Sequence, residues 1–596
     1  MQGRVEGARA EEASRSGPPL WAFAARILAI LIFVAATNSG FVQRAVLVVD
    51  QGRLTTLAGF VGLWALSLAC LFIAAFQPNR WVRAAWAVVI AASTAVGFAF
   101  RHASGSDLTI MDVLSLWSAR HEAERAMDFY ASAFAVLLVV LVVGIAIFSA
   151  PPVPAAAAKR RWLTRLACAP LVPIACTAVI VVYKEGGGAQ ALPMQFAPVS
   201  VAAVSGVAIA KAPIPERRPV AWQPQAPPVR RVVMLVDESI RADYIDWSPD
   251  NPYTPELARL KPRLVDHGPA ASGGVCSHYS NALLRFMAAR QDVGRQLLAN
   301  PSIWSYAHKA GFRTVFVDAQ AAFNRNPGKL QNFMTPDETA EIDAFHALPE
   351  SVPVHSLDDR LLDIVLEELR SPGPVFIYAN KNGAHFPYDK GYPTSETVFR
   401  PSMAEGTDDQ ATRVNSYRNA VRWTVDRFFK RLAEEADLSD TVVIYTSDHG
   451  QRFDPRRATH CSVDDPDPRE ALVPMVTMTG NESLRAQLAD GAERNRRRAT
   501  HFLIAPTVLE LLGYAPEQIR GTYGNGSLFE TTGDAPTFTS GDIFNLFSSK
   551  VRLHPIDLTQ PYLEHGWASA ATMLRSTLDP AAPGSRRPPG TSDDPI

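Results

Sequence analysis

Five long apolar runs crowd the first third of this 596-residue chain. They extend roughly from Leu20 to Thr37, Leu54 to Phe76, Trp81 to Phe100, Phe129 to Ala150 and Leu166 to Tyr183. At 1.5 Å per residue each approaches the length needed to cross a hydrocarbon core of ~30 Å. A soluble core seldom carries five such runs between short polar loops, so residues 1–184 read as an N-terminal five-helix transmembrane domain. The first run lacks a small-residue cleavage site and is followed at once by another apolar run, which marks a retained helix rather than a signal peptide. Basic residues gather before the first run, at Arg80 and Arg83, and from Lys159 to Arg165, and they outnumber those in the alternate loops. The positive-inside rule then puts the N-terminus in the cytoplasm, and an odd number of spans puts everything after Lys184 outside it. Arg26 lies inside a run and reads as a snorkelling side chain.

Residues 185–230 are rich in Ala, Gly and Pro, the composition of an extended linker. A globular part follows over residues 231–566. The tail, 567–596, is Pro, Gly, Ser and charge without periodicity, and disorder is expected there. Lys and Arg number 58 against 59 Asp and Glu, a net charge of −1, which argues against a nucleic-acid partner. Of the five cysteines, Cys70, Cys168 and Cys176 fall in apolar runs, leaving Cys276 and Cys461 in the exported part, either as a pair or as two separate thiols.

Within the globular part, short β-rich runs at Arg231–Val236, Arg313–Val317, Val375–Ala379, Thr441–Tyr445 and Leu472–Met478 alternate with helical segments such as Ser280–Leu298, Leu361–Leu369, Ala420–Glu435 and Ala505–Leu512. That alternation predicts a mostly parallel sheet with helices on both faces, an α/β/α layering. Ligands bind at the carboxyl ends of strands in such sheets. Metal-ligating residue types stand there: Glu238 after the first strand, His385 past the Val375 strand, Asp448 and His449 closing the Thr441 strand, and His460 in the loop beyond. Carboxylate plus imidazole suits Zn²⁺, with Mn²⁺ as second choice.

The segment Gly273-Gly274-Val275-Cys276-Ser277-His278-Tyr279-Ser280-Asn281 is a small-residue turn feeding a helix. A hydroxyl at that helix N-terminus would meet unpaired N–H groups and the positive end of the dipole, which favours an alkoxide and a bound phosphate. Serine is equally at home there as an N-cap. Read alone, the segment fits either role.

Val233 to Asp243, the Cys276–Ser280 turn, Gly383-Ala384-His385-Phe386-Pro387-Tyr388, Ser447-Asp448-His449-Gly450 and Thr459-His460-Cys461, taken in order, resemble the phosphoethanolamine transferases, membrane-anchored members of the alkaline phosphatase and sulfatase superfamily. The resemblance implies an alkaline-phosphatase-like catalytic domain in the periplasm behind helices in a bacterial inner membrane. It implies that Glu238, Asp448 and His449 bind a catalytic Zn²⁺ with the nucleophile as fourth ligand. Aligning Cys276 with the cysteine just ahead of the family's nucleophile makes Ser280 the nucleophile and metal ligand. His385 and His460 match histidines that contact the transferred phosphate, assist proton transfer or bind a second zinc. The implied reaction is double displacement. Ser280 takes phosphoethanolamine from a phosphatidylethanolamine donor, then passes it to an envelope acceptor such as lipid A, a core sugar or another glycan. A monomer is expected. On this reading Ser280→Ala abolishes transfer while sparing zinc, and retained transfer would move the nucleophile to Ser277 or Cys276.

The chain departs from the family's pattern at Asp237, where Gly is usual, and at Phe286, where a second cysteine is usual. The amphipathic stretch Asp107 to Met127 matches the family's substrate-binding helix, with Ser118 and Glu122 as candidate contacts; Lys329 and Arg285 are further substrate-binding candidates. Two other readings share much of this pattern: a phosphoglycerol transferase acting on an envelope glycan or polymer, and a catalytically silent membrane protein that keeps the fold. A true sulfatase is disfavoured because Ser277-His278-Tyr279-Ser280 lacks the Pro and Arg that follow a formylglycine precursor. The segment from His501 to Gly513 is assigned a structural role.

Overall fold

The computed structural model describes residues 20–50, 53–104, 107–110, 112–113, 131–151, 161–184, 188–211, 217–320, 334, 336–349, 351–454, 459–462, 466–524, 526–541 and 551–560. Ser118, Glu122, Lys329, most of the Asp107–Met127 stretch and the 567–596 tail lie outside the described residues.

The N-terminal part opens with α1 (Leu20–Thr37) and α2 (Gly40–Asp50), bent by 67° at their junction. Then come α3 (Leu54–Ala75), α4 (Arg80–Ser104), α5 (Ala131–Ser149), α6 (Leu171–Tyr183) and α7 (Ala197–Lys211). Three of these helices, α3, α4 and α5, are long and apolar enough to cross a membrane, and the bent α1–α2 pair makes up to four. The fifth apolar run, expected from Leu166, becomes a helix only over the 13 residues of α6. Pro170 explains the late start, since proline constrains the residue before it and offers no N–H. Backbone carbonyls ahead of it, in a short helix over Arg161–Arg165 and the turns after it, are satisfied from elsewhere in the bundle: Gln77 Nε2, in the loop after α3, donates to Leu163 O at 2.6 Å and Trp86 Nε1 of α4 to Ala167 O at 2.7 Å. Such outside donors are what non-helical backbone needs away from water. The Arg26 guanidinium donates to Ala75 O, Phe148 O and Pro151 O, tying together the carboxyl ends of α3 and α5, where unpaired carbonyls and the dipole both favour a cation.

The linker expectation for 185–230 holds only in part. Ala197–Lys211 is a helix, with Phe196, Ser200 and Val201 fully buried. From Arg217 to Arg230 the chain is extended and strapped to the globular part: Gln225 N donates to Gly513 O at 2.7 Å, Lys309 Nζ to Val220 O at 2.7 Å, and the Arg217 guanidinium lies 3.4 Å from the Phe286 ring centre. Composition alone did not reveal these partners.

The globular part is built on β1 (Arg231–Asp237), β2 (Leu264–Ala271), β3 (Arg313–Asp318), β4 (Ala344–Ala347), β5 (Val375–Asn380), β6 (Thr441–Ser447), β7 (Leu472–Thr479) and β8 (Ala499–Thr500), in the sheet order β4-β3-β5-β1-β6-β7-β2-β8. Only β7 runs against the others. All five expected strands are present, and β5, β6 and β7 are buried along their whole length, as strands covered on both faces must be. Trp304 anchors one face against Phe316, Phe376 and Tyr378, at ring separations of 5.8–6.0 Å. A hairpin of β9 (Thr537–Ser540) and β10 (Arg552–Pro555) adds to the edge of the nucleophile loop, with Thr539 N donating to Gly273 O at 2.9 Å.

The helix expected over Ser280–Leu298 is two helices, α8 (Ser277–Arg285) and a second over Val293–Ala299. Arg285, at the end of α8, is not a substrate ligand. It is buried with Glu338, at 2.6 Å, and Trp304 Nε1 donates to the same carboxylate at 3.1 Å. Breaking such a pair strands one buried charge, so Arg285→Met is expected to destabilise the fold by about 3–5 kcal/mol. A thermal or denaturant unfolding series would check this, with Arg285→Met/Glu338→Gln expected to recover much of the loss.

Candidate active site

β5, β1 and β6 stand side by side at the centre of the sheet. Register pairs Val236 with Asn380 and Asp237 with Ser447, so Lys381 leaves the sheet level with Asp237, and Glu238 and Asp448 leave it together one residue further on. Glu238 Oε1 lies 3.3 Å and Asp448 Oδ2 3.7 Å from His449 Nε2. The three residues offer ligand atoms all within 4.8 Å of one another, and all three are buried. Their backbone is forced into place. Ser239 adopts φ +65°, a left-handed conformation costly for a non-glycine residue, and its N–H thereby reaches Asp448 Oδ1 at 3.1 Å. At Gly450 a Cβ would come within 2.2 Å of Arg469 O, so only glycine permits the turn that follows His449.

The donor set fits a divalent cation. His449 Nδ1 faces the Gly450 carbonyl at 2.7 Å, which places its proton there and leaves Nε2 toward the carboxylates. Asp448 Oδ2 is buried with no hydrogen-bond donor. Burial and then the charge of Glu238 push Asp448 well above the usual carboxylate range. Burial opposes the His449 imidazolium, but Asp448 and Glu238 outweigh it and push His449 up to about 9. Two buried carboxylates this close need a cation between them. Two carboxylate oxygens, one imidazole nitrogen and a hydroxyl make a tetrahedral set suited to Zn²⁺.

The hydroxyl is that of Ser277, not Ser280. Ser277 Oγ lies 3.0 Å from His449 Nε2 and 3.1 Å from Glu238 Oε2. It is the first residue of α8, after Cys276 as N-cap, so it sits at the positive end of the helix. Ser280 lies nearly one turn further on, where its Oγ accepts from Gly274 N at 3.0 Å and donates to Gly274 O at 3.1 Å. It closes the loop and makes no contact with the carboxylate–histidine group. The sequence pattern started the helix at Ser280, three residues later than its start at Ser277, and that start decides which hydroxyl faces Glu238 and His449.

His460 stacks on His449, ring centres 4.1 Å apart. Burial, then the neighbouring His449 charge, hold it well below the ordinary histidine value, so it is neutral. A Cys276–Cys461 disulfide joins the residue before Ser277 to the residue after His460, and Cys461 N donates to Val275 O at 2.8 Å. Cys276, Cys461 and His278 also lie within ligand distance of one another, but the disulfide occupies two of the three. His501 has the structural part expected of it, accepting from Gly273 N at 2.9 Å and reaching Thr446 Oγ1 at 3.0 Å. His385 sets Nδ1 2.7 Å from Phe386 O and lines a cleft of about 520 Å³ with Phe386, Pro387, Lys390, Met403 and Asp408. Sequence reasoning missed Gln320, whose Nε2 donates to Glu238 Oε2 and Lys381 O, each at 3.0 Å. An amide two residues past a strand end carries no signal of its own.

The family model described as Sulfatase matches residues 230–514. That match falls on the globular part of the chain. The globular part and the helices before it together match the integral membrane protein lipooligosaccharide phosphoethanolamine transferase A (EptA) from Neisseria meningitidis, with a TM-score of 0.61 at 17% identity, covering 85% of this chain and 99% of that one. At this identity the likeness shows a shared fold, apolar helices included. The C-terminal periplasmic domain of EptC from Escherichia coli matches with a TM-score of 0.46 at 19% identity, covering 58% of this chain and 98% of that domain. The same domain in complex with Zn gives the same values. No curated protein matches the chain.

Proposed function

We propose that the protein is a zinc-dependent, membrane-anchored transferase that moves phosphoethanolamine from phosphatidylethanolamine to an envelope acceptor, lipid A, core sugar or another glycan, through a covalent intermediate on Ser277. The observation that carries this reading is Ser277 Oγ at 3.0 Å from His449 Nε2 and 3.1 Å from Glu238 Oε2 on a helix N-terminus. The integral membrane protein from Neisseria meningitidis whose fold this chain shares is named a phosphoethanolamine transferase, which favours that headgroup over glycerol phosphate. An inner-membrane location with the globular part in the periplasm belongs to the same proposal, as does a monomeric state.

Glu238, Asp448, His449 and Ser277 would hold the Zn²⁺. When bound, that ion lowers the hydroxyl pKa and offsets charge on the phosphoryl oxygens. Ser277 Oγ attacks the phosphorus of the donor, a P–O bond forms, and the P–O bond to diacylglycerol breaks. The positive end of the α8 dipole steadies the added negative charge. His385, which lines the cleft, delivers a proton to the departing diacylglycerol oxygen. It then takes one from the acceptor hydroxyl, which attacks the phosphoserine and frees Ser277. Neutral His460 hydrogen-bonds the transferred phosphoryl group.

Peptide mass spectrometry of the protein purified from its own membranes tests this directly. Phosphoethanolamine on Ser277, within the segment from Cys276 to Arg285, is the expected result. Glycerol phosphate at that position would overturn the donor, and an adduct on Ser280 would overturn the nucleophile.

A further inference from the structure

Lys381 is the only lysine side chain fully buried among the described residues, and it lies directly beneath the metal ligands. Its ammonium pairs with Asp237 and donates to Thr424 O at 2.7 Å; it lies 3.7 Å from Asp358 Oδ2 and 4.3 Å from the Phe428 ring centre. The Thr424 carbonyl belongs to a π turn, Arg422–Asp426, between α10 (Gln410–Val421) and α11 (Arg427–Glu435). Turns of this kind often mark functional positions in helices.

Each carboxylate on this lysine holds a different part of the site. Asp237 Oδ1 accepts the N–H of Glu238 at 3.0 Å, and Asp237 O accepts the N–H of Asp448 at 2.8 Å. Asp358, at the start of α9 (Leu357–Leu369), accepts from Asn382 N at 2.7 Å and Gly383 N at 3.1 Å, in the turn that carries His385. The two parts meet at Gly383, with φ +52°, where a Cβ would fall 2.3 Å from Asp237 Oδ1. Ala384 N then donates to Glu238 O at 3.1 Å.

We propose that Lys381 is a positioning residue whose ammonium joins Asp237 and Asp358 into one buried strut, setting Glu238 and the His385 turn at the spacing that metal and phosphate require. It rests on the zinc-site reading above. Without the ammonium, two buried carboxylates face each other with no cation, and the pieces they hold are driven apart. With Asp237 neutral as well, Asp358 keeps its two N–H donors, and an asparagine at 237 still accepts from Glu238 N.

The test is zinc affinity, by competition with a chelator, on the full chain in detergent. Lys381→Met is expected to weaken zinc at least ~10-fold, the range seen when groups behind metal ligands are removed. Asp237→Asn is expected to stay within about threefold of wild type, and so is Asp237→Asn/Lys381→Met. A bare charge effect has the opposite sign, since removing a cation beside a zinc site tightens binding. Lys381→Met with unchanged or tighter zinc would overturn the proposal, as would a double variant as weak as the single one. If Lys381→Met does not fold, the double variant decides: zinc within threefold of wild type supports the strut, and failure to fold or bind refutes it. Wild-type protein that holds no zinc would overturn the metal reading itself, and this proposal with it.

Discussion

Ser277→Ala is expected to abolish transfer while Ser280→Ala largely retains it. Ser277 Oγ is the hydroxyl at 3.0 Å from His449 Nε2, and alanine leaves nothing there to form a phosphoenzyme. Loss of a covalent nucleophile commonly costs at least ~10³-fold in kcat. Zinc should remain, because Glu238, Asp448 and His449 keep three donors. Ser280→Ala removes only the hydrogen bonds to Gly274, worth about 1 kcal/mol of stability, and activity is expected within a few-fold of wild type. Steady-state transfer assays with zinc stoichiometry on both variants decide the matter. Full activity in Ser277→Ala would remove the assignment.

The second large effect is expected at the carboxylates. Glu238→Gln and Asp448→Asn should each bring zinc below one per chain and reduce transfer on the order of 10³-fold or more. The fit depends on anionic oxygens: Asp448 Oδ2 is buried without a donor, and an amide there would offer either a neutral oxygen or an N–H to the cation. Ligands that bind only the folded state stabilise it by mass action, so chelation of the wild type should lower its melting temperature and leave that of Asp448→Asn nearly unchanged. Equal melting shifts in both proteins would mean that the cation sits elsewhere.

Membrane attachment was legible from hydropathy because apolar runs of this length have few other uses in a chain. The number of spans was not, since Pro170 cuts the last run short and α1 bends into α2, and neither effect changes composition. The mostly parallel sheet was legible from alternation, and Glu238, Asp448 and His449 from their places at strand ends, where parallel packing sends side chains to one edge. Which hydroxyl faces that group was not. Ser277 and Ser280 stand three residues apart on one short segment, and the choice between them depends on where α8 begins, which Gly274 just ahead of it and His501 and Thr539 from distant parts of the chain impose.

Arg285 shows the same limit from the other side. A basic residue after a nucleophile loop looks like a phosphate ligand until Glu338, far along the chain, is found to neutralise it. Likewise Asp237 stood out in sequence only as a departure from pattern, and its reason, Lys381, appears when β1 and β5 are placed in register. By itself the sequence determined which residue types reach the strand ends, because strand period and chain direction are local properties. Only the tertiary structure decided which of those residues meet, because buried charges and hydroxyls are settled by partners that no local pattern names.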